Sequence, residues 1–182
     1  MDIDIRRLDP EDLVEKAIVF QYDSPGHFRV SIAERDNGWT IDLTRQVFPE
    51  KFHKRETEQL VTKYKGSSEI YGAFVEGREA GLIQLEYQEW NRSVRVWDID
   101  VALEFRRKGI GKALMDLCKA RSLELGARRI VLETQTSNLR AIEFYKAMGF
   151  QLVGLDASNY SNDDVDKCEV RLEMSFLLGI PK

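Results

Sequence analysis

The sequence predicts an α+β (α/β) domain with a central mixed, mostly antiparallel β-sheet flanked by helices, and three observations carry that prediction. Three alternating runs, Ile70–Val75, Ala80–Gln88 and Val94–Val101, follow one another through short links that favour an antiparallel meander. Ile110, Leu114, Leu117 and Cys118 then recur at helical spacing until Gly126 supplies a stop. Ile130-Val131-Leu132 is a buried strand after that crossover helix, parallel to its predecessor if the two pair side by side. At 182 residues a single domain over 1–182 is expected, because two would be cramped.

Taken in order, Asp2–Arg6 alternates as a short strand. Asp9 is placed to cap a helix with Pro10 at its first position, running to about Phe20. Phe28-Val30-Ile32 and Trp39-Ile41-Leu43 alternate on either side of Asn37-Gly38, which reads as an added N-terminal hairpin. Trp39 either anchors a core or, on a hairpin covering one side of a site, meets a ligand. Arg55–Lys65 reads as a helix. Beyond the meander, Asn138 can cap a helix through about Met148, ended by Gly149, with Phe150–Val153 as the next strand. Glu169–Leu178 closes the chain, with Val170, Leu172, Met174, Phe176 and Leu178 on one face.

Composition excludes several function classes. A net charge of −4 argues against a general nucleic-acid binder, whose phosphate contacts need a basic surface, and suits a cationic partner. Cys118 and Cys168 stand far apart, and with only His27 and His53 beside them a zinc site lacks ligands, so no metal is expected. No apolar run approaches the roughly 20 residues of a membrane helix, and the N-terminus lacks the basic and apolar regions of a signal. A cytoplasmic location with reduced thiols and no membrane partner is expected. Open edges on a mixed sheet leave room for a homodimer.

The stretch Arg106-Arg107-Lys108-Gly109-Ile110-Gly111-Lys112-Ala113 joins strand to helix. Its glycines allow close backbone approach, the unpaired amides of a helix start favour an anion, and cations precede the second glycine. It reads as a seat for a pyrophosphate. A nucleotide P-loop would need Gly at Arg106 and Ser or Thr at Ala113, and a dinucleotide fingerprint starting at Gly109 would need Gly at Leu114. What remains, Arg-x-x-Gly-x-Gly, is similar to the acetyl-CoA pyrophosphate loop of the Gcn5-related N-acetyltransferase (GNAT) family. About thirty residues on, Asn138-Leu139-Arg140-Ala141-Ile142-Glu143-Phe144-Tyr145 followed by Gly149-Phe150 resembles that family's second signature. The resemblance covers residues 70–155.

It implies the GNAT fold, acetyl-CoA as cosubstrate, and acetyl transfer to an amine in a ternary complex. Under it Arg106, Arg107, Lys108, Gly109, Ile110, Gly111 and Lys112 hold the diphosphate. Ile99 and Val101 pair with pantetheine, with the Val101 amide toward the oxyanion, and Asn138 and Tyr145 also bind the cosubstrate. Tyr145 is the proposed general acid, since a phenol of pKa about 10 stays protonated at neutral pH; the other reading is that it only positions the thioester. Glu86, Asp98 and Asp100 lie on the middle strands, where a carboxylate can serve as base or amine anchor, Asp98 or Glu86 being preferred. A water relay and a purely solvated strand face stay open. Val96–Val101 with the glycine loop and the Asn159-Tyr160-Ser161-Asn162 segment resembles the streptothricin acetyltransferases, which act on the β-lysine amine of a cationic antibiotic. Trp39 and Tyr160 then join the carboxylates as acceptor contacts. Acetylation of a protein N-terminus, lysine or polyamine is an alternative, as is a non-catalytic acetyl-CoA sensor.

Overall fold

A computed structural model describes residues 1–62, 65 and 68–179. They form β1 (Asp4–Leu8), β2 (Ala17–Arg35), β3 (Gly38–Gln59), β4 (Glu69–Val75), β5 (Arg78–Gln88), β6 (Ser93–Val101), α1 (Ile110–Glu124), β7 (Arg129–Gln135), α2 (Leu139–Ala147), β8 (Gln151–Asp156) and β9 (Arg171–Leu177). The chain falls into two compact units: Met1–Phe20, Glu56–Leu132 and Ser175–Lys182 in the first, Gln21–Arg55 and Glu133–Met174 in the second.

In the first unit β1, β4, β5 and β6 lie side by side and antiparallel. β7 adds to β6 in parallel, with Ser93 opposite Arg129 and Arg95 opposite Val131. The sheet is therefore mixed and mostly antiparallel, as the short links and the crossover helix require. Helix α1 packs on β4, β5 and β6, burying Ile110, Leu114, Met115 and Cys118. Burial pushes the Cys118 thiol up to about 12, consistent with a small apolar filler. Leu13, Ile18, Leu60, Ile70 and Leu82 make a second cluster in this unit. At the far end of α1, Arg121 donates Nε to Glu69 Oε2 at 2.8 Å and a second nitrogen to Oε1 at 2.7 Å.

In the second unit β7, β9 and β8 are neighbours in that order, and Leu139 and Ile142 of α2 pack with Leu172 against Phe28, Leu43 and Leu155. β2 and β3 form a separate two-stranded sheet, turning at Asp36-Asn37.

Two helices expected from the sequence are absent. The Asp9 cap forms, its carboxylate accepting the Glu11 amide at 3.0 Å, but the turn it starts is a 3-10 turn, Pro10–Leu13. The chain then enters β2, because Ile18-Val19-Phe20 suits a pleated surface better than a helix. Arg55–Gln59 belongs to β3, whose ladder with β2 outweighs the helix propensity of its charged residues; residues 63 and 64 of that expected helix lie outside the described residues. Trp39 is 74% exposed and anchors no core.

Candidate active site

The first unit carries the glycine loop. Beyond Arg95 the pairing described for β6 is with β5 alone, Ile99 facing Ile83 and Val101 facing Gly81. Gly81 is required there, since a Cβ would stand 2.5 Å from the Asp100 carbonyl oxygen. Gln84 faces Asp98 while Leu85 faces Val96, so Trp97 is the extra residue of a β-bulge that re-aims the strand.

After β6, a 3-10 turn at Leu103–Phe105 leads into two left-handed residues, Arg107 (φ 62°) and Gly109 (φ 88°). Helix α1 starts with no side-chain cap. Its first internal bond is Ala113 N–H to the Gly109 carbonyl at 2.9 Å, so the amides of Ile110, Gly111 and Lys112 have no acceptor within the helix. No atom lies within 4 Å of where a Gly109 Cβ would stand, leaving the helix mouth open. Arg107, Lys108 and Lys112 are exposed around it. Arg106 points elsewhere: its Nε donates to the Val101 carbonyl at 2.8 Å and its guanidinium lies 3.7 Å from Asp100. It braces the loop against its own strand.

The three carboxylates fare differently. Glu86 accepts the Trp97 indole N–H at 2.9 Å. Asp100 takes the Val101 amide, the group expected to meet the oxyanion; burial raises its pKa, against the pull of Arg106. Asp98 is 4% exposed and its Oδ2 accepts the Lys65 ammonium at 2.6 Å. Gln84 satisfies its neighbours with its amide nitrogen donating to Asp98 Oδ2 (2.7 Å) and the Leu60 carbonyl (2.9 Å) and its oxygen accepting from the Ser68 hydroxyl.

The second unit carries the other signature. Asn138 accepts the Ala141 amide at 3.2 Å and caps α2. Leu139, Ile142 and Tyr145 form the buried face, with Ala141, Phe144 and Met148 only half-buried beside it. The Tyr145 ring sits 5.5 Å from Phe144 and 6.0 Å from Phe150. Tyr160 donates its hydroxyl to Glu133 at 3.0 Å, and burial, then the Glu133 charge, holds that phenol far above its ordinary pKa. Asp164 is buried and accepts from the Tyr160 amide and the Ser161 hydroxyl, which orders the loop between β8 and β9.

Sequence reasoning missed Lys65, a polar-stretch lysine with no pattern marking it as buried. It also missed Glu133, Gln135, Ser137 and Tyr22. The Tyr22 hydroxyl donates to Gln135 at 3.0 Å and lies 2.8 Å from the Ser137 hydroxyl. Among the described residues no group of three or more His, Cys, Asp or Glu side chains could hold a metal, and no helix is long and apolar enough to cross a membrane.

The model of the Acetyltransferase (GNAT) family matches residues 38–150. The chain belongs to the GNAT family. Among its GNAT relatives, a streptothricin acetyltransferase of Streptomyces lavendulae is 39% identical over 85 residues, 47% of this chain and 45% of that protein. The Escherichia coli streptothricin acetyltransferase is 36% identical over 93 residues, 51% of this chain and 53% of its own length. The chain thus spans about half the length of these curated relatives. A crystal structure of nourseothricin acetyltransferase superposes with a TM-score of 0.77 at 30% identity, covering 96% of this chain and 98% of that one. A Bacillus anthracis GNAT-fold protein crystallised with acetyl coenzyme A superposes at 0.76 and 24% identity, covering 97% and 100%, and bears on the fold.

Proposed function

We propose that the chain is an acetyl-CoA-dependent N-acetyltransferase whose acceptor is a primary amine of a cationic small molecule, the β-lysine amine of streptothricin above others. The observation that carries the reading is the uncapped start of α1, with its unpaired amides, left-handed Arg107 and Gly109, and exposed Arg107, Lys108 and Lys112. Such a helix start binds a diphosphate by amide donation and the helix dipole together. The streptothricin acetyltransferases among the relatives and the nourseothricin acetyltransferase superposition support the acceptor.

In this mechanism the amides of residues 107–112 hold the diphosphate, and the pantetheine arm adds to β6 past Val101 and Ile99. Arg106 acts through the loop it braces. Asn138 holds the arm and Tyr145 gives a proton to the leaving thiolate. Asp98 or Glu86 takes the proton of the attacking amine, with Asp100 adding negative potential that draws a cation. Trp39 and Tyr160 contact the acceptor. The amine attacks the thioester carbonyl directly, both substrates being bound, so positioning supplies much of the rate.

A thiol-release assay with acetyl-CoA against streptothricin, other aminoglycosides, polyamines and short peptides tests this. Release is expected with streptothricin, with intersecting double-reciprocal plots. Release with peptides alone would replace the acceptor, and acetyl-CoA binding without release for any amine would make the chain a sensor.

A further inference from the structure

The geometry points to Lys65 as an internal acceptor: we propose that the chain acetylates its own Lys65, a modification that rests on the acetyl-transfer reading above. The Lys65 ammonium is 3% exposed and touches Asp98 Oδ2 at 2.6 Å, with the Gln59 carbonyl at 3.3 Å as its other described partner. Asp98 immediately precedes Ile99, along whose backbone the pantetheine arm is proposed to run, and follows the Trp97 bulge. An arm that leaves a diphosphate at the start of α1 and passes Val101 before Ile99 carries its thioester toward Asp98. There an amine already stands against a carboxylate, in the arrangement an external ammonium would adopt.

The chemistry balances. Asp98 accepts one proton from the Lys65 ammonium and the neutral Nζ attacks the acetyl carbonyl. The new N–C bond forms as the C–S bond breaks. The thiolate leaves as free thiol after taking up a proton, and the amide nitrogen loses its remaining extra proton to solvent. The product carries no charge at Nζ, so the 2.6 Å ion pair is lost; once Asp98 passes its proton to solvent, its carboxylate, still held by Gln84, is left to meet a cationic acceptor. Buried and paired, Lys65 is, among the described lysines, the least open to direct reaction with dissolved acetyl-CoA. Exposed Lys51 and Lys112 report that background.

The full-length chain is incubated with acetyl-CoA without added amine, and peptides are mapped by mass spectrometry over time. The expected result is a gain of one acetyl group on Lys65 ahead of Lys51 and Lys112, matched by thiol release and suppressed by excess of the amine that turns over fastest. Lys65→Arg keeps the cation and removes the mass gain; Asp98→Asn slows it about a hundredfold. If Asp98→Asn does not fold, the amine competition and Lys65→Arg decide. Lys65 labelled no faster than Lys51, with thiol still released to an external amine, overturns the inference and leaves the acetyl-transfer reading standing. Labelling that external amine does not suppress overturns it as well. No thiol release under any condition overturns both.

Discussion

Helices α1 and α2 both start after a strand-to-helix turn, and they start in opposite ways. At α2 the Asn138 side chain turns back onto the Ala141 amide and closes the helix on itself. At α1 the corresponding position is Gly109, which has no side chain to offer, in a left-handed conformation with empty space before it. A protein that needed only a folded helix would close both, since an Asn or Asp cap contributes about 1 kcal/mol and glycine gives up part of it. On the proposed reading, the difference marks where helix stability is forgone to leave room for the diphosphate.

The largest expected effect comes from putting a like charge at the open start. Gly109→Asp sets a carboxylate where the diphosphate is proposed to sit, in a left-handed position (φ 88°) that strains any side chain. Acetyl-CoA affinity should fall at least about a hundredfold, each lost hydrogen bond to a charged group being worth roughly 1.5–3 kcal/mol. Calorimetric titration measures it, against a smaller fall in thermal stability from the strained backbone. Next is the other end of α1, fixed by Arg121 on Glu69. Arg121→Leu should cost about 1–2 kcal/mol in denaturant unfolding, discounted for partial exposure of the pair, with acetyl-CoA binding preserved.

The same pair sets a pH response. The Arg121 guanidinium lowers the Glu69 carboxyl from 4.5 to about 2, so its contribution is full above the ordinary carboxylate range and disappears as pH falls toward about 2. Stability followed by circular dichroism should decline across that window, and Arg121→Leu should flatten that part of the curve. Smallest is Asn138→Ala, which leaves α2 uncapped. It should lose about 1 kcal/mol, a fall of roughly 2–4 °C in Tm. A larger loss of acetyl-CoA affinity than of stability in this variant would show that Asn138 also meets the ligand.

The meander, α1, β7 and α2 were legible because their signals are local: alternation between short links, a left-handed glycine after a helix, an Asn cap. The Ala17–Gln59 ribbon was legible only at its turn, because its outer reaches hold helix-prone charges that cross-strand pairing overrides. The glycine loop was readable down to its amides, yet Arg106 was counted among the outward cations when it folds back on Val101. That Asp98 and Asp100 lie on a middle strand was legible; the burial of Asp98 under Lys65 was not, because that contact joins residues 33 apart in sequence. Tyr160 on Glu133 is likewise long-range.

The most direct measurement is an amide nitrogen–proton spectrum of the labelled chain titrated with coenzyme A and, separately, with pantetheine. If the diphosphate sits on the start of α1, coenzyme A shifts the amides of Gly109, Ile110, Gly111 and Lys112 strongly, while pantetheine leaves them in place. Coenzyme A binding that moves other amides and spares these four would contradict the account.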